Sequence, residues 1–155
     1  MKNIILIGLI LLFVTAPVTA EIRLVPGEYA TIQAAIDAAF EDDEIIVSIG
    51  TYYENINFGG KNIILRSTEP MNPTVVASTI IDGRLGDSII GGYRAGSVVT
   101  FSGAESPECI LSGFTITNGS GTGSMGDMRG GGIYGKGTHA TIQHNIISGN
   151  HAFPY

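Results

Sequence analysis

Gly130 to Asn150 reads GGGIYGKGTHATIQHNIISGN. Glycine and asparagine cut every apolar run in it to a few residues, which suits short strands closed by turns. The stretch also has a counterpart upstream. CILSGFTITNG, 109–119, lies over ATIQHNIISGN, 140–150, at an offset of 31, so that Leu111 meets Ile142 and Ile116 meets Ile147. Each copy is kinked in the middle, by Ser112-Gly113 in one and Gln143-His144 in the other. Each ends in a glycine and an asparagine, in opposite order. Before them, SVVTFSG lies over GGIYGKG at a similar offset, and KNIILRS with TIIDG reads as an earlier, less regular copy. The intervening GSGTGSMGDMRGG has the composition of a surface loop.

A unit this short cannot bury a core alone and must stack on its neighbour. If each copy is one coil, equivalent strands lie parallel, roughly 4.8 Å apart, with like residues over like. The interior is then a narrow column of Ile, Val, Leu and Phe. Glycine and asparagine supply the corners, some of which need positive φ. The runs EIIVSIG, ENINFGG, TVVASTIIDG and GSVVTFSG extend the strand pattern towards the N-terminus. The sequence thus predicts an all-β body of coils over about 44–150.

One segment has a different period. In TIQAAIDAAF, Thr31 to Phe40, apolar residues fall at Ile32, Ala35, Ile36, Ala39 and Phe40, one face of a short helix with Thr31 as N-cap. The acidic run Glu41–Glu44 follows. Adjacent carboxylates on a turn point in different directions, so this run reads as a solvated loop rather than a calcium site.

Residues 1–20, MKNIILIGLILLFVTAPVTA, have a basic start at Lys2, an apolar run from Ile4 to Val14, and small residues Val18 and Ala20 placed for cleavage before Glu21. This is the pattern of a secretory signal peptide, too short in its apolar run for the roughly 20 residues of a membrane span. The expected mature chain, 21–155, is a single secreted or cell-surface domain with no membrane span after cleavage. Without Lys2 it carries 7 basic and 14 acidic residues, net −7. No basic cluster offers a nucleic-acid surface, and the average field opposes acidic polymers. The single cysteine, Cys109, sits in an apolar run and reads as a buried small hydrophobe.

The segments IDG, GSVVTFSG, CILSGFTITNG, GGGIYGKG and ATIQHNIISGN together resemble the right-handed parallel β-helix repeat proteins of the pectin lyase-like group. YATIQAAIDAAFEDDEIIVSIGTYYENINFGGKNIILRS is similar to the opening of pectinesterase-like β-helices, with a G-x-Y-x-E element at Gly50, Tyr52 and Glu54. The resemblance covers Val25 to Asn150. It implies a right-handed parallel β-helix, a solenoid, with a short N-terminal α-helix capping the open core. It also implies further coils beyond HAFPY. The chain is therefore expected to be an N-terminal part, incomplete at its C-terminus. Downstream coils, another chain or Phe153-Pro154-Tyr155 would then cover the last edge. His144 stands where the family often has a corner asparagine.

The group includes lyases, glycosidases and esterases acting on polysaccharides, but their site motifs are missing here. Asp82, Arg84 and Asp87 in IIDGRLGD are the nearest approach to a calcium-dependent lyase site and read as a polar turn with a solvated ion pair. Glu54 reads as a corner residue without a catalytic partner. His139, His144 and His151 are spaced by five and seven, which does not converge on one ion, so no metal ligand is assigned. The glycines of MRGGGIYG precede no helix and are not a nucleotide loop. Asn118 begins a formal glycosylation sequon, NGS, at a corner. Tyr52, Tyr53, Tyr93 and Tyr134 remain, since tyrosine offers a sugar both apolar area and a hydroxyl.

Two functions follow as expectations. The first is a secreted or cell-surface module with a carbohydrate-associated binding or structural role, its partner a polysaccharide or cell-surface glycan. The second is the N-terminal piece of a polysaccharide-degrading enzyme whose active site lies beyond residue 155. No cofactor is expected for the first, and calcium enters only if the second is a lyase.

Overall fold

The structure, a computed structural model, describes residues 19–85, 88–90, 93–124 and 127–152. The described residues are mainly β, dominated by parallel strands, with two short α-helices and a 3-10 turn at Gly83–Leu85. In chain order the elements are β1 (Ile22–Val25), α1 (Ile32–Ala38), β2 (Glu44–Val47), β3 (Gly50–Tyr52), β4 (Ile56–Asn57), β5 (Ile64–Ser67), α2 (Pro73–Ser78) and β6 (Thr79–Asp82). They continue with β7 (Ser88–Ile90), β8 (Tyr93–Ala95), β9 (Val99–Phe101), β10 (Ile110–Ser112), β11 (Thr115–Thr117), β12 (Thr122–Ser124), β13 (Asp127–Arg129), β14 (Ile133–Gly135), β15 (Thr141–Gln143) and β16 (Ile146–Ile147).

From β2 onward the parallel strands go to three sheets in rotation, β1 and β2 both lying in the first. Sheet A is β1-β2-β5-β10-β15, sheet B is β3-β6-β11-β16, and sheet C is β4-β9-β14. One circuit therefore visits A, B and C and returns to A. The registers match the offset read from the sequence: Leu111 pairs with Ile142 and with Leu65, and Ile116 pairs with Ile147 and with Ile81. In sheet C, Val99 pairs with Ile133 and Ile56.

Like residues stack because equivalent strands share a register. Ile45, Leu65 and Leu111 form one inward column of sheet A, each fully buried. Ile81 and Ile116 continue the interior on sheet B, and Phe58 stacks on Phe101 with ring centroids 4.6 Å apart. At roughly 25 cal/mol per Å² of apolar surface, this column is the main stabilising term. In β15 and β16, Ile142, Ile146 and Ile147 are exposed.

The corners are fastened by asparagine. Asn145 accepts the Phe114 N–H through Oδ1 and donates to the Leu111 carbonyl, both at 2.9 Å. Asn150 does the same for the Gly119 N–H and the Ile116 carbonyl. Each ties its circuit to the one before. Gly119 must be glycine, since a Cβ there would lie 1.8 Å from the Gly131 carbonyl oxygen.

Several expectations need correction. The segment TVVASTIIDG is not all strand: Pro73–Ser78 is helical, with Asn72 as N-cap accepting from the Thr74 N–H and Pro73 opening the first turn. The helix α1 matches the expected face at Ile32, Ala35, Ile36 and Ala39, but it ends at Ala38. Ala39 turns extended, and Phe40 is 65% exposed instead of buried. The loop 119–131 contains the antiparallel pair β12–β13, and a second antiparallel pair, β7–β8, arises at the same B-to-C corner one circuit earlier. Asp43 is not a solvated loop residue. It is 1% exposed and bound to Arg23. Phe153-Pro154-Tyr155, most of the leader and Asp87 lie outside the described residues.

Candidate functional site

The polar features converge where sheet B passes to sheet C. In the first circuit this corner is only Tyr53-Glu54-Asn55, between β3 and β4. In the next two it is enlarged by the hairpins β7–β8 and β12–β13. The corners stack on each other. Asn55 Nδ2 donates to the Ser97 carbonyl at 2.9 Å, Asn118 Nδ2 donates to Asp82 at 2.9 Å, and Gly96 bridges to Gly121. Arg84 crosses the first corner, its guanidinium 5.1 Å from the Tyr53 ring centre.

Beside this corner lies an open cleft of about 370 Å³, lined by Gln33, Tyr53, Glu54, Asn55 and Asn57. Helix α1 supplies one wall because its ends are fixed. Glu54 accepts the N–H groups of Ile32 and Gln33, both at 2.9 Å, which meets two orphan donors of the first turn. The Gln33 amide then pairs with both backbone groups of Asn57, accepting from its N–H at 2.7 Å and donating to its carbonyl at 3.2 Å. It thereby supplies the partner that β4, the edge strand of sheet C, otherwise lacks. Asn57 also accepts from Ser102 Oγ at 2.9 Å.

Among the described side chains, the carboxylates of Glu54 and Asp82 at these corners are both engaged. That of Glu54 holds the helix. Asp82, 2% exposed, accepts from the Arg84 backbone N–H, the Arg84 guanidinium and Asn118. Burial alone would raise the Asp82 pKa, but the Arg84 side chain and backbone and Asn118 together hold it below the ordinary value. The same ion pair raises that of Arg84. The expected pair at Asp82 and Arg84 is thus formed, but its carboxylate is buried rather than solvated. Neither acid stands ready as a general base, and a calcium ion would have to displace hydrogen bonds to reach them.

The tyrosines fall in different places. Tyr52 faces inward in register with Ile81, packs against the core and donates its hydroxyl to the Ser48 carbonyl at 2.9 Å. Burial, with the Glu54 charge nearby, raises its pKa. Tyr134 pairs with Thr100 on sheet C and is half-buried. Tyr93 opens β8, and its side chain lies outside the described set. Tyr53 is 50% exposed at the cleft. Asn55 Oδ1 is buried without a hydrogen-bond partner, and the Gln33 amide is held by Asn57 and Asp37, so the exposed surface of the cleft is that of Tyr53 and Asn57. The three histidines are exposed, and among the described residues no group of three or more His, Cys, Asp or Glu gathers as a metal set. Cys109 is buried, its thiol pushed up to about 11 by burial.

Sequence reasoning singled out Tyr53 and Glu54 but missed Gln33 and Asn57. Their polarity was visible; their meeting across the helix was not. No helix among the described residues is long and apolar enough to cross a membrane. In comparison with known proteins, no family model, no curated protein and no solved structure matches this chain.

Proposed function

We propose that this chain is a right-handed parallel β-helix of the pectin lyase-like kind, secreted or displayed at the cell surface, that binds carbohydrate at the B-to-C corner. The observation that carries the reading is the half-exposed Tyr53 at the mouth of a cleft lined by amides. An aromatic face with side-chain amides beside it suits the mixed apolar and hydroxyl surface of a sugar ring. The rotation of the chain through three parallel sheets supports the solenoid, and the residue pattern supports the family. The net charge of −7 in the mature chain favours an uncharged glycan over a polyuronate.

Calorimetric titration with neutral oligosaccharides and with oligogalacturonates, with and without calcium, tests this. The reading predicts saturable binding of a neutral glycan, lost in Tyr53→Ala. Binding unchanged in that variant, no binding of any glycan, or turnover of polygalacturonate would overturn it.

A further inference from the structure

At the N-terminal edge, two residues twenty apart form a buried ion pair. Arg23 is 8% exposed and Asp43 1%. Arg23 lies in register with Ile45, so it occupies the inward column of sheet A, and its Nε donates to Asp43 Oδ2 at 2.8 Å. The Phe40 N–H donates to the same oxygen at 2.9 Å. The other oxygen, Oδ1, accepts from the backbone nitrogen of Glu21 at 2.8 Å. Arg23 also donates to the Tyr29 hydroxyl at 2.6 Å and to the Glu21 side chain at 3.2 Å.

Glu21 is the residue that the leader pattern places first in the mature chain. Its nitrogen is an amide only while Ala20 remains attached. We propose that cleavage of the Ala20–Glu21 bond completes this cluster, placing the new α-ammonium of Glu21 on the buried Asp43 carboxylate and locking β1 onto β2. This rests on the leader reading and not on sugar binding. The step is a hydrolysis by a signal peptidase. One water adds across the peptide bond, Ala20 leaves as a carboxylate, and the Glu21 nitrogen takes up a proton.

The charge count favours this outcome. With the leader attached, Arg23 faces two carboxylates, Asp43 and the Glu21 side chain, and the cluster is one charge negative. After cleavage two cations meet two anions. A neutral N–H bond to a carboxylate becomes an ammonium bond, the stronger kind, onto a carboxylate that is itself buried although Glu21 is exposed. The neighbouring charges do not reverse this. Lys61 donates to the Ala39 carbonyl, the other side of the peptide group whose Phe40 N–H meets Asp43, and not to Asp43 itself. Glu41 and Asp42 are exposed in the loop before Asp43, and Glu44 pairs with Arg66.

The pH signature has a fixed sign. An α-amino group titrates at about 7.7–8.0 when free. Bound to Asp43 its value rises, so its stabilisation is full below that range and is lost as pH climbs through the raised value.

The test compares a chain beginning at Glu21 with one that retains Thr19 and Ala20. At pH 6.5 the Glu21 chain is expected to melt several degrees higher, and the gap to close as pH approaches 10. Its α-amine is also expected to acylate more slowly at pH 7 than that of the longer chain. Asp43→Asn in both chains should erase the gap. If that variant does not fold, the pH dependence of the gap decides. Equal melting at neutral pH, or a gap indifferent to pH, would overturn the proposal. N-terminal sequencing of the exported protein adds a separate check, since a start other than Glu21 also overturns it.

Discussion

Glu54 and Lys61 hold opposite ends of one helix. The Glu54 carboxylate accepts the N–H groups of Ile32 and Gln33, and the Lys61 ammonium donates to the carbonyls of Ile36, Asp37 and Ala39 at 2.7–2.8 Å. The anion meets the positive end of the helix dipole and the cation the negative end. A helix of seven residues is too short to persist alone. These two residues of the first circuit, with burial of Ile32, Ala35 and Ile36, keep it over the end of the core.

Removing either clamp should therefore weaken the whole domain. Glu54→Ala is expected to cost about 1–2 kcal/mol, as lost caps do, and Lys61→Met about 1 kcal/mol. Glu54→Gln keeps one acceptor oxygen and should fall between Glu54→Ala and the parent. Urea unfolding measures all three. Parent-like midpoints would mean that the helix is held by its apolar face alone.

The same register position should tolerate truncation differently in different circuits. Leu111→Ala removes a fully buried side chain and should cost about 3–5 kcal/mol. Ile142, its partner in β15, is 43% exposed, and Ile142→Ala should cost about 1 kcal/mol. Equal losses in thermal or urea unfolding would show that the last layer is as covered as the one before it.

A strained corner offers a stabilising change. His144 has φ 54°, in the left-handed region, where the preceding circuit has Gly113 at φ 85°. Among the described residues, its ring nitrogen Nδ1 meets Ser112 Oγ at a long 3.4 Å. His144→Gly is expected to raise stability by about 0.5–1 kcal/mol. A lower melting temperature would assign the histidine ring a contact worth more than the strain.

Acid should unfold the domain through three buried carboxylates. Burial would raise Asp43, Asp82 and Glu105, yet hydrogen bonds hold all three below their ordinary values. Glu105 is bound by the N–H groups of Ser102, Gly103 and Gly60, at 2.7, 2.8 and 3.1 Å, linking two circuits. Depressed values stabilise the fold above the unfolded pKa, about 4, and that stability is lost as pH falls through the folded values. The melting temperature should hold down to about pH 4.5 and drop below it, with a shallower drop in Glu105→Gln. A profile flat to pH 2.5 would contradict these depressed values.

The repeat was legible because like residues stack on like. Leu111 over Ile142 and Ile116 over Ile147 could be read from an offset alone, and the glycines and asparagines marked corners. Helix α1 was legible from its period and its Thr31 cap. Helix α2 was masked by Val75 and Val76, β-branched residues that suit a strand, although Asn72-Pro73 is a helix start. The clamps were not legible. Glu54 reaches a helix some twenty residues back, and Arg23 finds Asp43 only because β1 adds to sheet A. Spacing along the chain carries no trace of such meetings, which arise from the circuit length. The cleft was half visible for the same reason: Tyr53 and Glu54 are neighbours in sequence, whereas Gln33 and Asn57 become neighbours only once the helix is seated.

Parallel circuits in one register set the inward columns and the corners. The most direct test is cross-strand NOE spectroscopy on the labelled mature chain. These registers predict contacts linking Leu111 to both Leu65 and Ile142, and Ile116 to both Ile81 and Ile147, in the parallel pattern. Antiparallel contacts, or a shifted register between these residues, would contradict them.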